Sequence, residues 1–239
     1  MTTQGTVRPT SEEFLRLVDA ARLLPEAVGT YLDDDYVICL LSTVVDYQLR
    51  TAAVERALEH FRVRRHAEVT THEDLERLFA RFADDRTGNT ELAEYLWGFK
   101  LWTRAALLRR LAAYFAARGV TDLQGLKSWA ESSEFKRDFE GKVRFSEGAT
   151  TFSLGYAIFN WLTMRLGAQS VKPDVHVRRF VETALGRRLS DPDVVAAVTQ
   201  TAATLGITPK DLDWRIWEAR GTAAVDQGPS HSGGVKAVP

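Results

Sequence analysis

The sequence predicts an all-α protein of about ten helices, arranged as a single two-lobed domain over residues 1–220. Apolar residues recur with the 3.6-residue period of helices almost throughout, whereas the strict alternation typical of half-buried strands is nearly absent. With 239 residues and 45% hydrophobic content, the chain is long enough to bury one large core. Its 26% charged residues and net charge of −1 exclude a long disordered polyelectrolyte.

Composition also limits the cofactors and the cellular setting that we expect. Cys39 is the only cysteine, which excludes an intramolecular disulfide, an all-cysteine zinc site and a cysteine-ligated iron–sulfur cluster. The histidines show no metal-ligand spacing, so no metal or other cofactor is expected. No apolar stretch is long enough to cross a bilayer, and the N-terminus lacks an apolar signal core. We therefore expect a cytoplasmic protein without a membrane partner.

The first two predicted helices have clear start signals. Ser11 stands where it can cap a helix with an acidic first turn, and Pro25 and Gly29 end that helix. The run Asp33–Asp35 then places three carboxylates together, and the helix dipole favours a solvated helix start there over a bound cation. Residues 36–50 are apolar nearly all round, which predicts a buried central helix.

The same periodicity predicts helices along the rest of the chain. Pro192 and Pro209 stand in first turns, where a helix tolerates proline. A turn is predicted over residues 84–89, and residues 221–239 lack large apolar side chains, which predicts a disordered tail. The predicted helices open at Thr71 or His72 and near Thr121, and cover residues 91–118 with a break at Gly98, 133–139, 150–166, 175–185, 191–205 and 209–219.

The most informative segment comprises residues 146–189. It contains a short turn at residues 153–155 (Ser-Leu-Gly), an aromatic-rich helix, and a second turn followed by VKPDVHVRRF at 171–180. Far upstream, Leu-Leu-Ser at 40–42 precedes Asp46 by a few residues. A glycine-containing turn before a helix allows backbone N–H groups to approach phosphate oxygens.

These motifs resemble the helix-hairpin-helix DNA glycosylase superfamily, which includes endonuclease III and the adenine and alkylbase glycosylases. In that family a hairpin, a helix and a Val-Asp-Thr-His-Val motif follow one another, and here the spacing from Gly155 to Asp174 is within a residue of the family's. His176 matches the histidine of the motif, which braces the turn. The resemblance spans about residues 33–190, with the hairpin motif at about 146–180.

The resemblance implies that Asp174 is the catalytic residue of a DNA base-excision enzyme. A fixed carboxylate stabilises the oxocarbenium-like transition state of glycosidic cleavage and can orient the attacking water. Read from the residues alone, Asp174 also fits a simple cap for the helix that opens at Val175, and the two roles are compatible. Lyase-competent members carry a lysine where this chain has Ala157, so the resemblance implies a monofunctional enzyme that leaves an abasic site.

The expected partner is DNA, bound through its backbone and one flipped nucleotide. Although the whole chain is slightly acidic, residues 125–190 contain 11 Lys and Arg against 7 Asp and Glu, a local excess of +4. Such an excess is enough for a footprint of a few phosphates. The residues expected to contact DNA are Ser153, Gly155, Lys142, Lys172 and Arg178.

A flipped base needs a pocket with aromatic or apolar walls. Six tryptophans in a helical protein are more often core residues than members of such a pocket. The residues expected to line the base pocket are Asp46, Tyr47, Gln48, Tyr156 and Trp161. The sequence leaves open which base is removed, and alkylated or bulky modified bases, including those of viral DNA, are candidates in repair or antiviral defence.

Two functions from different classes remain at this point. The first is a monomeric DNA glycosylase without lyase activity, which follows from the Gly155 to Asp174 arrangement. The second is a non-catalytic DNA-binding module that keeps the hairpin for backbone contacts. Phe152 and Ser153 replace the proline and first glycine of the family hairpin, and this departure, together with the modest basic excess, keeps the second function open.

Overall fold

The computed structural model describes residues 9–28, 32–47 and 49–225, with side chains up to residue 219. These ranges contain eleven α-helices, one short π-helix and a two-stranded antiparallel sheet, so the predicted all-α class of about ten helices is confirmed. The α-helices are α1 (Ser11–Arg22), α2 (Tyr36–Val45), α3 (Thr51–Arg64), α4 (His72–Phe79), α5 (Arg86–Trp97), α6 (Trp102–Ala116), α7 (Leu123–Ser132), α8 (Tyr156–Arg165), α9 (Val175–Leu185), α10 (Asp191–Leu205) and α11 (Pro209–Val225). The π-helix is Phe135–Phe139, and the strands are β1 (Arg144–Glu147) and β2 (Thr150–Ser153).

The chain divides into two compact units. The first combines residues 1–29 with residues 173–239, and the second comprises Thr30–Lys172. In the first unit, α1 packs against α9 and α10, and α11 packs against the same two helices. Its larger buried apolar side chains include Leu17, Val18, Val177, Val181, Leu185, Val194, Val198, Leu212 and Ile216.

Helix α2 is the centre of the second unit, as its mostly apolar sequence predicts. Nearly all of its residues are buried, and it packs against α3, α4, α6 and α8. The Asp35 carboxylate caps the helix by accepting from the Ile38 N–H at 2.7 Å. The helix ends at Val45 and not near residue 50, because β-branched valines propagate a helix poorly and an aspartate follows at the negative end of the dipole.

Two further predicted boundaries are wrong for identifiable reasons. The predicted turn over residues 84–89 is helical from Arg86, because the Asp85 side chain caps α5 by accepting from the Gly88 N–H at 2.8 Å. The prediction of a disordered tail over residues 221–239 is wrong for residues 221–225, which belong to α11, and residues 226–239 lie outside the described residues. The predicted break at Gly98 is confirmed, with Gly98 in the left-handed region at φ +70°.

The largest departure from the predicted helices is the β1–β2 hairpin, which replaces the start of the helix expected at residues 150–166. Phe145 pairs with Phe152 across the strands, and their rings stack with centroids 5.0 Å apart. The two-residue loop holds Gly148 at φ +57°, which suits a tight hairpin turn. Thr150–Phe152 are all residues with high strand propensity.

Cys39 provides a test of the packing around α2. Its side chain is fully buried, and burial raises the pKa of the thiol above its usual range. We expect Ellman's reagent to modify Cys39 at least about a thousandfold more slowly in the native protein than in guanidinium, since access requires unfolding. Rapid modification of the native protein would contradict this packing.

Candidate functional site

Asp174 is the N-cap of α9 in the first unit. Its Oδ1 accepts from the backbone N–H groups of His176 at 2.8 Å and Val177 at 3.1 Å. The residue is half-buried, and Oδ2 takes no hydrogen bond from any described residue. The capping role suggested by the sequence is therefore present, and it uses one carboxylate oxygen while leaving the other available.

Arg178, on the same helix, is occupied by partners within its own unit. Its guanidinium donates to the Leu189 carbonyl at 3.0 Å and forms an ion pair with Asp191. A second carboxylate, Glu182, lies 3.7 Å away. The charge of Arg178 is thus largely neutralised, so this residue is less suited to a phosphate contact than its sequence predicts.

A basic groove of about 410 Å³ follows α9 and is called the α9 groove. Arg179 and Arg188 are exposed and have no ion-pair partner among the described residues. Arg187 instead forms an ion pair with Glu13 at 3.0 Å. The groove is lined by Val175, Arg178, Arg179, Glu182, Thr183, Gly186, Arg187 and Arg188.

Three predicted site residues come together in the second unit. Lys172 Nζ lies 2.5 Å from Asp46 Oδ2 and 4.5 Å from the centroid of the Trp161 ring. The side chains of Lys172 and Asp46 are each only 17% exposed. Asp46, Trp161 and Lys172 come from three separate parts of the sequence, so their association is a feature of the tertiary fold.

Asp46 and Trp161 line a cavity of about 230 Å³, which we call the Asp46 cavity. The other lining residue of interest is Arg165, which is only 4% exposed and forms an ion pair with Asp33 at 2.8 Å. Its guanidinium carbon lies 5.1 Å from the Trp161 ring centroid. The full lining is Leu32, Asp33, Ile38, Ser42, Asp46, Val54, Leu58, Arg62, Trp161 and Arg165.

Arg165 and Asp33 were not among the site residues predicted from the sequence. An arginine within the apolar run Trp161–Leu166 was the available signal, because a buried cation requires a partner. The run Asp33–Asp35 was interpreted as a solvated helix start, but in the structure Asp33 and Asp35 have different partners. Asp33 pairs with Arg165, whereas Asp35 caps α2 and lies 2.8 Å from His66 Nε2.

The other residues predicted for the base pocket lie elsewhere. Tyr47 has the Arg104 guanidinium 4.8 Å from its ring centroid, and Tyr156 packs edge-on against Phe135 at 5.2 Å. Neither residue lines the Asp46 cavity. Gln48 lies outside the described residues.

Three of the tryptophans pack inside the second unit, as the interpretation of most tryptophans as core residues predicts. Trp97 is buried in its core, and Trp129 lies in a cluster of aromatic rings. Trp102 packs edge-on against Phe145 and Phe152 of the hairpin. These three rings are therefore occupied by protein neighbours.

Three of the predicted DNA-binding residues of the second unit, Lys142, Ser153 and Gly155, precede α8 in the chain, whereas Lys172 lies beside Asp46. Gly155 is the N-cap, in extended backbone at φ −100°, and α8 has no side-chain cap. A Cβ at Gly155 would meet nothing within 4 Å, so the glycine leaves open space beside the first N–H groups of the helix. Ser153 is half-buried at the end of β2, and Lys142 is exposed without an ion pair among the described residues.

The described residues contain no group of three or more His, Cys, Asp and Glu side chains placed to hold a metal ion. In the same part of the chain, no helix combines the length and apolar character needed to span a bilayer.

The profile of one family, described as "Domain of unknown function (DUF8548)", matches residues 26–221. The chain belongs to this family. The DUF8548 match begins after α1 and includes Asp174, the α9 groove and the Asp46 cavity. No curated protein and no solved structure matches the chain.

The DUF8548 segment therefore contains three features that could take part in binding or catalysis. They are a carboxylate with one fixed and one available oxygen, a small cavity with an aromatic wall, and exposed cations near helix termini. The carboxylate suits stabilisation of a developing positive charge. The cations and free N–H groups suit a polyanion.

Proposed function

We propose that the protein is a monofunctional DNA glycosylase. In this proposal it flips a modified base out of DNA and hydrolyses the N-glycosidic bond, leaving an abasic site. The observation that carries the proposal is the position of Asp174, whose Oδ1 is fixed by two backbone N–H groups while Oδ2 takes no hydrogen bond from the described residues. The motif spacing from Gly155 to Asp174 supports it.

The reaction places a specific demand on Asp174. As the C1′–N bond breaks, its electron pair leaves with the base and positive charge develops on C1′ and the ring oxygen of the sugar. A nearby carboxylate lowers the energy of that charge, and it can accept the proton that water loses on attacking C1′. The departing base takes up a proton from solvent. A carboxylate already held in place by the helix N-terminus needs little reorganisation for this role.

Support for a DNA partner comes from groups that suit phosphate oxygens. The uncapped N-terminus of α8 offers backbone N–H groups, and Gly155 leaves space beside them. Lys142, Arg179 and Arg188 are exposed cations without ion pairs among the described residues. Contacts of this kind position a nucleic acid without reading its sequence.

The Asp46 cavity is our candidate for the base pocket. Its volume of about 230 Å³ lies below the roughly 300–1,000 Å³ of sites for drug-sized ligands, so it suits a small ring system. Trp161 provides an aromatic wall, and Asp46 provides a polar group for the edge of a base. In the chain, Lys172, the ion-pair partner of Asp46, comes two residues before Asp174.

The monofunctional mechanism predicts that borohydride traps no covalent protein–DNA adduct. Ala157 stands where lyase-competent relatives carry a lysine, and Lys172 is ion-paired with Asp46. An ammonium has no lone pair with which to attack the sugar, so this ion-paired form is not a nucleophile. The measurement is gel analysis after borohydride treatment during turnover, and an adduct that disappears in Lys172→Ala would contradict the prediction.

A second candidate function, a non-catalytic DNA-binding module, is favoured by the same cap. The two N–H contacts of Asp174 are enough to account for its conformation without any catalytic role. The two functions are separated by incubating the protein with duplexes that each carry one modified base, followed by alkali. Strand scission on at least one duplex supports the glycosylase, whereas binding without scission on all of them supports the module.

A further inference from the structure

We infer that the β1–β2 hairpin provides a binding site for the DNA phosphate backbone, on the face that carries Arg144, Ser146, Thr151 and Ser153. We call this the hydroxyl face. The inference rests on the proposed function, because it names a further part of the chain that holds the DNA. Of the four residues, only Ser153 was expected from the sequence to contact DNA.

The strand register separates the side chains of the hairpin into two faces, because successive residues of a strand point to opposite sides. Ser146 Oγ and Thr151 Oγ1 lie 3.0 Å apart and share a hydrogen bond, so they occupy the same face. The hydroxyl face contains the pairs Arg144–Ser153 and Ser146–Thr151, whereas the opposite face contains Phe145–Phe152 and Glu147–Thr150.

The charges on the two faces differ. Among residues 144–153 the only carboxylate is Glu147, which lies on the opposite face and 3.7 Å from the guanidinium of Arg86. Arg144 is exposed and has no ion-pair partner among the described residues. The hydroxyl face therefore carries an unpaired positive charge and no negative charge of its own.

The hydroxyl groups add directional donors. Ser146 and Thr151 are both exposed, and only one of their two hydroxyl hydrogens is used in the bond between them. The other hydrogen is available to a phosphate oxygen. Arginine together with serine and threonine hydroxyls is a common combination in contacts to phosphates and sugars.

The hairpin is held firmly enough to act as a binding platform. Phe145 and Phe152 stack at 5.0 Å, and each packs edge-on against Trp102 of α6, at 5.7 and 5.9 Å. The chain then passes from Ser153 to the uncapped start of α8 at Gly155. The hydroxyl face is thus continuous in sequence with N–H groups that suit the same backbone.

The test measures the affinity of the full-length protein for an unmodified duplex by fluorescence anisotropy at several salt concentrations. The variant Arg144→Gln/Ser146→Ala/Thr151→Val removes the charge and two hydroxyls while Thr151→Val keeps the shape and strand propensity. We expect its Kd to rise about tenfold. The plot of log association constant against log salt concentration has a negative slope, and we expect the magnitude of that slope to decrease by about 1. The matched control Glu147→Gln/Thr150→Ala changes the opposite face of the same strands and is expected not to weaken binding.

Each outcome has a defined meaning. Unchanged affinity and salt slope in the triple variant, with near-ultraviolet circular dichroism like that of wild type, overturns the inference and leaves the glycosylase proposal standing. Equal weakening by the control variant also overturns it, since the effect would then come from the hairpin's stability. If wild type removes no base but binds DNA in a way that depends on the hydroxyl face, the inference stands and the glycosylase proposal fails. A wild-type protein that binds no DNA overturns both.

Discussion

Replacing Asp174 with asparagine is expected to slow base release at least about a hundredfold, the usual contribution of a positioned acid–base group. Asparagine is as good an N-cap as aspartate, so its side-chain oxygen can still accept from the His176 and Val177 N–H groups. The substitution removes the negative charge that the transition state needs and leaves the helix capped. Single-turnover kinetics on a substrate duplex measures the loss, and anisotropy checks that DNA binding is retained.

Two matched variants separate capping from catalysis. Asp174→Ala removes both functions, and we expect it to lower the free energy of unfolding by about 0.5–2 kcal/mol as well as abolish activity. Ser190→Ala removes the cap of α10, where Ser190 Oγ accepts from the Asp193 N–H at 3.3 Å, and is expected to destabilise similarly without slowing base release. An Asp174→Asn protein with wild-type activity would show that the carboxylate acts only as a cap.

Replacing Arg165 with methionine is expected to lower the free energy of unfolding by about 3–5 kcal/mol. Arg165 pairs with Asp33 at 2.8 Å and donates to the Cys39 carbonyl at 3.2 Å, and it also bonds to Ser42 and Thr43. Methionine fills much of the same space but leaves these acceptors without their donor. Guanidinium denaturation monitored by circular dichroism measures the difference in the free energy of unfolding between wild type and the variant.

Two controls accompany Arg165→Met: a variant of an exposed ion pair, and a double variant that changes both partners of the buried pair. Arg22→Ala breaks the exposed ion pair with Asp19 and is expected to cost less than about 1 kcal/mol. The double variant Asp33→Asn/Arg165→Met is expected to lose less stability than the sum of the two single variants, because neither partner is then left charged and alone. A loss below about 1 kcal/mol for Arg165→Met would mean that the ion pair is not structurally important.

The helices with local start and stop signals were predictable from the sequence. The bounds of α9 and α10 agree with the prediction, because Asp174 and Ser190 cap their starts and Gly186 and Gly206 end them in left-handed conformations. The hairpin was missed although its signal was present: Gly148 stands between strand-forming residues, and Phe145 and Phe152 are placed to pair across it. Helix α3 was not predicted, because the apolar segment was assigned to one helix up to residue 50 and the end of α2 at Val45 was not recognised.

The candidate site was predictable only in part. Asp46, Trp161 and Lys172 were each expected at a DNA site, but their association depends on packing between segments more than a hundred residues apart. Local periodicity contains no information about such pairs. The Arg165–Asp33 pair was missed for the same reason. Of the partners of Arg178, only Glu182 at i+4 was visible in the local sequence, whereas Asp191 lies beyond the end of the helix.

Mass-spectrometric detection of free base released from modified duplexes is the most direct test of the proposed chemistry. We predict that wild type releases an intact base from at least one duplex and leaves an unbroken strand with an abasic site, whereas Asp174→Asn binds the same duplex and releases almost none. No release from any duplex, or equal release by the variant, would contradict the catalytic role of Asp174.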